Sequence, residues 1–164
     1  MALTSPQLAT LKAYIASVPA WAALPNDSDS ALQIAASLNA PASPAWVVWR
    51  SSVPTLDIGR AVNYVAVAAM TTANLDRVRL FCEMNPSSFD PSRSDIRTFM
   101  SDTFSGALGG QGQASRDALD ALYRRNATLI EKVLSSGTGS TASPATLGYE
   151  GSIGYADVQA ARSA

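Results

Sequence analysis

Apolar residues recur at three- and four-residue spacing in the first forty residues, which predicts two amphipathic helices. Thr4 or Ser5 can cap the first helix, and Pro19 ends it. Residues 26–28 can cap the second helix, which ends before Pro41. The apolar positions expected to face the core are Leu8, Leu11, Ile15 and Val18 in the first helix and Leu32, Ile34, Ala35 and Leu38 in the second.

The next stretch, WVVW at residues 46–49, lacks helical spacing. As a strand it would place Trp46 and Val48 on one face, but no partner strand is evident from the sequence. We interpret it as an extended connector that packs across the helices. Trp46 and Trp49 are expected to anchor the core, and a contact between subunits is the alternative.

Two further helical segments are predicted between residues 54 and 85. Residues 62–70 are apolar on nearly all sides, so they are expected to lie deep in the core. Thr71 or Thr72 can cap the following helix, which ends at Asn85 because a proline follows. The buried stripe of that helix is expected to be Leu75, Val78 and Cys82.

Residues 92–136 are interpreted as a helix, a glycine-rich elbow and a long helix. Asp90 and Pro91 provide a start signal for the first helix. Gly106 and the glycine-rich residues 109–112 are expected to break it. The residues expected to form its buried face are Ile96, Phe99, Met100, Thr103 and Phe104.

The second of these helices is predicted to be long. Ser115 can cap it, and an apolar seam continues to Val133, over about six turns at 3.6 residues per turn. Asp120 and Arg124 lie four residues apart and are expected to pair on its surface. Gly137 is expected to end this helix.

The composition changes after Ser136 to a segment rich in Gly, Ser and Thr. Such a segment cannot bury enough surface alone to offset its ordering entropy. We therefore expect residues 137–164 to be disordered or to form an arm that docks on a neighbouring protein, for example by adding TLGYEGSI as a strand. The residues expected to contact a partner are Leu147, Tyr149, Ile153 and Tyr155. The predicted fold class is mainly α, with a helical bundle over residues 1–136 and a long extended C-terminal arm over residues 137–164.

Composition and motifs give no support to an enzyme. Histidine is absent, which removes the usual general base and the commonest metal ligand. The single cysteine, Cys82, is expected to be a small buried thiol. Residues 109–112 lack the Lys-Ser/Thr ending of a phosphate-binding loop. Three carboxylates on the predicted helix could suggest a catalytic or metal group, but their spacing is that of a helix cap followed by a solvated helix face. They are Asp90, Asp95 and Asp102. The sequence therefore predicts no catalytic, metal or cofactor site.

Acidic and basic residues nearly cancel, at 13 against 12, which argues against a nucleic-acid binder held by bulk charge. A local basic patch remains at Arg116, Arg124 and Arg125, with an acidic partner or the DNA backbone as its candidate ligand. The N-terminus lacks signal-peptide features, and residues 62–70 are too few to span a bilayer. We expect a soluble protein made in the cytoplasm.

Four segments carry a resemblance to a known group. They are NDSDSALQIAASLNAPASPAWVVWRSSVP near the start, FSGALGGQG before the long helix, ATLIEKVLSSGTGS at its end and SPATLGYEG in the tail. Together they resemble small proteins encoded among the structural genes of tailed bacteriophages. The likeness covers most of the chain and includes no catalytic signature.

Within that group, a helical chain with a polar C-terminal arm resembles the head-to-tail adaptor (connector) proteins. The resemblance implies a virion protein that forms a ring, twelvefold to match the portal. This ring would join the portal protein to tail proteins and help to line the DNA exit channel, with no membrane partner. The alternatives are a tail terminator, a capsid-associated protein, and a DNA-associated packaging or regulatory factor that uses the three arginines.

Overall fold

The computed structural model describes residues 3–105 and 109–164, which form two compact units. Unit 1 combines the chain up to Val48 with Asn126–Ala164, and unit 2 is Trp49–Arg125. The helices are α1 (Ser5–Ser17), α2 (Pro19–Ala22), α3 (Ser28–Asn39), α4 (Thr55–Ala61), α5 (Tyr64–Ala68), α6 (Thr72–Met84), α7 (Ser94–Thr103), α8 (Gly109–Leu122), α9 (Leu129–Val133) and α10 (Tyr155–Ser163). The strands are β1 (Val47–Trp49), β2 (Val53–Pro54), β3 (Ser88–Phe89) and β4 (Arg124–Asn126). The prediction of a mainly α fold is confirmed.

The strands are short and pair two by two. β1 pairs with β4, and β2 pairs antiparallel with β3, so that Val53 lies opposite Phe89. The extended conformation predicted for WVVW is confirmed by β1, in which Val48 is fully buried. Its partner lies far along the chain, which is why the sequence alone gave no sign of it.

Unit 1 is built around α1, α3 and α10. The Thr4 amide donates to Gln7 Oε1 at the start of α1, and the Asp27 carboxylate accepts from the Ser30 amide at the start of α3. α10 packs against both helices. The side chains with no exposed surface here are Leu11, Ala31, Ile34, Leu38, Ile130, Val158 and Ala161. The two helices predicted at the N-terminus are confirmed, except that Leu32 is exposed.

The predicted extended arm at residues 137–164 is not confirmed, because these residues belong to unit 1. The Ala145 amide donates to the Val47 carbonyl at 2.9 Å, and Ser136 and Thr146 exchange two backbone hydrogen bonds. The segment that was expected to add a strand to a neighbour therefore begins with backbone pairs inside its own unit.

Side chains of unit 1 also hold this segment. The side-chain amide of Asn39 forms two hydrogen bonds with Ile153: its Nδ2 donates to the Ile153 carbonyl at 2.8 Å, and its Oδ1 accepts from the Ile153 backbone amide at 3.0 Å. The buried Glu131 carboxylate accepts from the amides of Thr128 and Gly151 at 2.9 and 3.2 Å. Because these bonds satisfy backbone groups that a polar segment cannot pair by itself, residues 137–164 order against the core.

The single long helix predicted from Ser115 is wrong. α8 begins six residues earlier, at Gly109, and ends at Leu122, after which the chain forms β4 and α9. Ser115 is buried inside α8, where its hydroxyl donates to the Gln111 carbonyl at 3.1 Å. A second start signal explains α9: Thr128 and Glu131 form a capping box.

The predicted elbow at residues 109–112 is also wrong, since these residues form the first turn of α8. Gly109 begins the helix with a φ of 54°. Gly106, the other residue of the predicted elbow, lies outside the described residues.

The core of unit 2 is rich in aromatic residues. The ring of Phe89 lies edge-on to both Phe81 and Tyr123, at centroid distances of 5.3 and 5.7 Å. Phe81 also stacks on Phe99 at 5.6 Å. The remaining apolar residues buried in this cluster are Val53, Ile58, Val62, Met70, Met100, Phe104 and Leu119.

Candidate interaction surface

Helix α6 carries more apolar residues than it buries. Thr71 caps it by accepting from the Asn74 amide, as predicted. Its apolar residues form two stripes, one at Leu75, Val78 and Cys82 and the other at Leu80, Phe81 and Met84. Of these six side chains only Phe81 is buried. A helix that buries one of its six apolar side chains and leaves members of both stripes exposed has apolar surface available for a partner.

The first stripe lines an open apolar groove of about 550 Å³, which we call the α4–α6 groove. Its walls come from α4, α5 and α6, and its apolar lining includes Leu56, Ile58, Tyr64, Val67, Leu75 and Val78. The prediction that Leu75 is buried is wrong, since 40% of its surface is exposed.

The second stripe borders another open depression of about 420 Å³, which we call the α6–α7 groove. Its apolar lining is Leu80, Phe81, Met84, Ile96 and Phe99. Leu80 and Met84 are 57% and 73% exposed, so they project from α6 as a ridge. We call this pair the Leu80–Met84 ridge.

The exposed apolar surface extends to α4 and α5. Leu56, Tyr64 and Val65 are 69%, 73% and 64% exposed. The prediction that residues 62–70 lie deep in the core is therefore wrong for part of the segment. The residues that α5 and its flanks do bury are Val62, Ala66 and Met70, which are four residues apart and share one face.

The charged residues of this surface are balanced. Arg60 pairs with Asp57 at 2.8 Å, and Arg79 pairs with Glu83 at 2.8 Å. Adding Asp76 and Arg77 of α6 gives three acidic and three basic residues, hence no net charge. The surface is therefore apolar and carries no net charge.

Cys82 lies in the α4–α6 groove and is half-buried. Burial raises the pKa of its thiol from the ordinary value of 9.0. The thiol that was predicted to be buried is thus only half-buried, and its reactivity can report whether the groove is open or covered.

The three arginines proposed from the sequence lie on α8 and β4. The Asp120–Arg124 pair predicted from the spacing is confirmed, with a distance of 2.8 Å. The guanidinium of Arg124 also lies 5.3 Å from the centroid of the Trp49 ring.

Arg116 donates to the Phe104 carbonyl at 3.1 Å and to the Gln113 side chain. Arg125 is half-buried in β4. Arg116 and Arg124 therefore both have partners within unit 2, but only Arg124 is paired with a carboxylate.

A second arginine contacts Trp49, which the sequence did not indicate. Arg97 lies 4.0 Å above the Trp49 ring and donates to the carbonyls of Pro91 and Ser92, both at 2.6 Å. Its pKa is lowered by burial. Trp49 is therefore half-buried and has two guanidinium groups close to its ring within unit 2.

A small polar cavity of about 240 Å³ lies between α7 and α8. Its polar lining is Arg97, Ser101, Gln113, Arg116, Asp117, Asp120 and Tyr123. Tyr123 is buried, and burial together with the nearby Asp120 carboxylate raises its pKa. Two carboxylates offset the two guanidinium groups, so the cavity carries little net charge for attracting an anion.

The four residues predicted to contact a partner through the arm differ in exposure. Tyr149 and Ile153 are 7% and 4% exposed and belong to the core of unit 1. The Tyr149 hydroxyl donates to the Ser152 carbonyl at 2.7 Å, and burial raises its pKa. Leu147 is half-buried against Val48 and Ala145. Tyr155 is 50% exposed and is the member of this set most accessible to another protein.

Comparisons with known proteins gave no match: no protein-family profile, no curated protein and no solved structure matches the chain. Across the described residues, no cluster of three or more His, Cys, Asp or Glu side chains has the geometry of a metal site. None of the helices described is both long and apolar enough to cross a membrane.

The ridge and groove residues Leu56, Tyr64, Leu80 and Met84 were missed by the sequence analysis. A signal was available in α6, where LDRVRLFCEM has apolar residues on two stripes although a surface helix needs only one. For α5 the apolar run was correctly noticed, but the burial assigned to it was too complete.

Proposed function

We propose that this chain is a structural protein of a tailed-bacteriophage particle and acts as a head-to-tail adaptor. Copies of the chain would form a ring that joins the portal protein to tail proteins and helps to line the DNA exit channel. The proposal rests on the sequence resemblance described above and on the apolar surface of unit 2. It assigns no catalytic activity, cofactor or membrane partner to the chain.

The observation that carries the proposal is the apolar surface formed by α4, α5 and α6. Monomeric proteins rarely leave a contiguous apolar patch of more than a few hundred Å² in water. Leu56, Tyr64 and Met84 each expose more than two thirds of their surface in this part of unit 2. Such a surface supports a protein that functions in an assembly.

Two alternatives within the particle, a tail terminator and a capsid-associated protein, have the same need for a protein partner. The position of the protein in the particle distinguishes them from an adaptor. Tyr155, the exposed residue of the predicted arm, is a candidate contact to a portal or tail protein in each case.

A DNA-associated packaging or regulatory factor is the alternative outside the particle. It has less support, because Arg116 and Arg124 already have protein partners. Its test is salt-dependent DNA binding that is lost when Arg124 and Arg125 are both replaced by alanine.

The test of the proposal is the protein composition and neck structure of purified particles. We expect mass spectrometry to detect the chain in washed particles, and cryo-electron microscopy to place it as a ring between portal and tail. A chain that is absent from particles, or that lies on the capsid surface, would contradict the adaptor assignment.

A further inference from the structure

The buried hydroxyl of Tyr123 has no hydrogen-bond partner among the described residues. Only 1% of the Tyr123 surface is exposed, and buried polar groups in folded proteins are nearly always hydrogen-bonded. Burial, together with the nearby Asp120 carboxylate, raises the pKa of this hydroxyl, so it keeps its proton at neutral pH and can donate. Tyr123 lines the polar cavity between α7 and α8, which we call the α7–α8 cavity, so a molecule bound there can supply the acceptor.

The side chain of Tyr123 runs along the wall of this cavity. Tyr123 follows the last residue of α8, and its amide still donates to the Leu119 carbonyl at 3.0 Å. Long side chains at helical positions point toward the N-terminus of the helix and lie over the residues three and four positions earlier. For Tyr123 these residues are Asp120 and Leu119, and both line the cavity. The hydroxyl is therefore directed toward the cavity.

The stripes of α7 and α8 that line the cavity are polar, whereas two helices in direct contact would place apolar residues there. The polar lining residues of α8 are spaced three and four apart and share one face: Gln113, Arg116, Asp117 and Asp120. α7 contributes Arg97 and Ser101, which are four apart, and the buried side chains of Met100 and Leu119 form an apolar floor. The cavity therefore offers polar groups that can orient a ligand and a small apolar surface that can take its side chain.

The charged groups of the wall form mixed pairs, which favours a ligand that carries both charges. Gln113 links Arg116 to Asp117, since it accepts from the guanidinium and donates to the carboxylate at 2.6 Å. The pKa of Arg97 is lowered by burial, and the Asp120 carboxylate opposes this shift. A ligand with a single charge meets a like charge beside each opposite one, whereas a zwitterion can place each of its charges against the opposite charge.

The size of the cavity and its remaining donors fit a small amino acid. Its volume of about 240 Å³ corresponds to about eight water molecules at about 30 Å³ each, hence to a ligand of about eight heavy atoms. A guanidinium group has more N–H donors than the two that Arg97 and Arg116 each use in the bonds described above. Donors therefore remain on both groups for the two oxygens of a carboxylate.

We propose that the α7–α8 cavity binds a free amino acid with a short apolar side chain. The carboxylate of the ligand accepts from the Tyr123 hydroxyl and from the guanidinium groups of Arg97 and Arg116. Its ammonium group donates to Asp117 or Asp120, and its side chain lies on the apolar floor. All of these residues belong to unit 2. The ligand site goes beyond the proposed function and is independent of it, because that function concerns the assembly of proteins.

The test uses the full chain and three matched probes. L-Valine has the expected size and both charges, isovalerate lacks the ammonium group, and isobutylamine lacks the carboxylate. Binding is measured by isothermal titration calorimetry and by saturation-transfer NMR of the probes. Tyr123→Phe removes the hydroxyl and keeps the ring, and Tyr64→Phe is the matched control in the same unit, where the native side chain is 73% exposed. Asp117→Asn removes one charge of the wall at an exposed position.

We expect L-valine to bind the wild type and Tyr64→Phe equally, and to bind Tyr123→Phe about tenfold more weakly, because a hydrogen bond to a charged group is lost. Isovalerate and isobutylamine should bind the wild type several-fold more weakly than L-valine. Asp117→Asn should weaken the binding of L-valine several-fold without weakening that of isovalerate.

Three outcomes would overturn the inference. If none of the probes binds, water alone pairs with the hydroxyl. If either single-charge probe binds as tightly as L-valine, the cavity is a simple ion site. If Tyr123→Phe is folded by circular dichroism and binds L-valine like the wild type, the hydroxyl is not the contact. Should Tyr123→Phe fail to fold, unchanged binding of L-valine to Asp117→Asn contradicts the inference in its place.

Discussion

Two regions can be compared, residues 137–164 of unit 1 and the α4–α6 region of unit 2. In both, the burial of the side chains is the opposite of what the composition of the segment suggests. The first segment is rich in Gly, Ser and Thr, yet it contributes Tyr149, Ile153 and Val158 to the core of unit 1. The second is rich in apolar residues, yet Tyr64 and Met84 are each 73% exposed. The average polarity of a segment therefore did not indicate its place in this molecule.

The difference has a physical cause in each region. In the C-terminal segment, a few apolar side chains fill the core, and hydrogen bonds to Asn39 and Glu131 satisfy the backbone between them. In unit 2, the core is built around aromatic residues that contact Phe89. Apolar residues of α4–α6 such as Tyr64 and Met84 lie outside that core and stay exposed.

The largest expected effect comes from breaking the packing of the C-terminal segment. Ile153→Ala removes a buried side chain and should lower the free energy of unfolding by about 3 kcal/mol. Tyr155→Ala, two residues away at a half-exposed position, should change it by less than about 0.5 kcal/mol. Urea denaturation monitored by circular dichroism measures both values. Equal, small effects would mean that the segment is not part of the core.

A smaller loss is expected at Gly139, which lies against the Trp46 ring with a φ of 61°. A Cβ placed there would lie 2.1 Å from that ring, and the backbone conformation disfavours other residues. Gly139→Ala should destabilise unit 1 by about 2 kcal/mol.

The matched control is Gly59→Ala in α4, where a Cβ meets nothing within 4 Å. Alanine is the better helix former, so this change should stabilise the protein by about 0.5–1 kcal/mol. Thermal unfolding of both variants shows whether the two substitutions change the stability in opposite directions. If both stabilise the protein, the close approach of Gly139 to Trp46 is contradicted.

The ridge should contribute little to the stability of an isolated subunit. Leu80→Glu replaces a side chain that is 57% exposed, so the free energy of unfolding should change by less than about 0.5 kcal/mol at a concentration where the protein is monomeric. Denaturation at low concentration tests this. A loss of several kcal/mol would show that Leu80 belongs to the core of unit 2.

The smallest effect concerns the reactivity of Cys82. Burial raises the pKa of its thiol, so less thiolate is present at a given pH than in the unfolded chain. The pH profile of maleimide labelling in the folded monomer should therefore lie at higher pH than the profile in urea. Coincident profiles would mean that the groove does not shield the thiol.

The sequence predicted the features whose signals are local. Caps and helical spacing identified α1, α3 and α6, and the spacing of Asp120 and Arg124 predicted their ion pair. Start signals were harder to rank: Ser115 has the chemistry of a cap, but it lies inside α8, while Thr128 provides the second start.

Features that depend on distant partners could not be predicted. The pairing of Ala145 with Val47 joins residues about one hundred positions apart, so no local pattern could place the C-terminal segment in unit 1. The open surface around α6 was missed for a related reason, because helical spacing shows which residues share a stripe but not whether another element covers that stripe.

Hydrogen–deuterium exchange at low and high protein concentration tests the central claim most directly, since it observes both regions in one experiment. We expect the amides of residues 145–161 to be protected equally at both concentrations, and the amides of α6 to gain protection only at the higher one. A C-terminal segment that exchanges freely at low concentration and becomes protected on association, with α6 unchanged, would contradict the account.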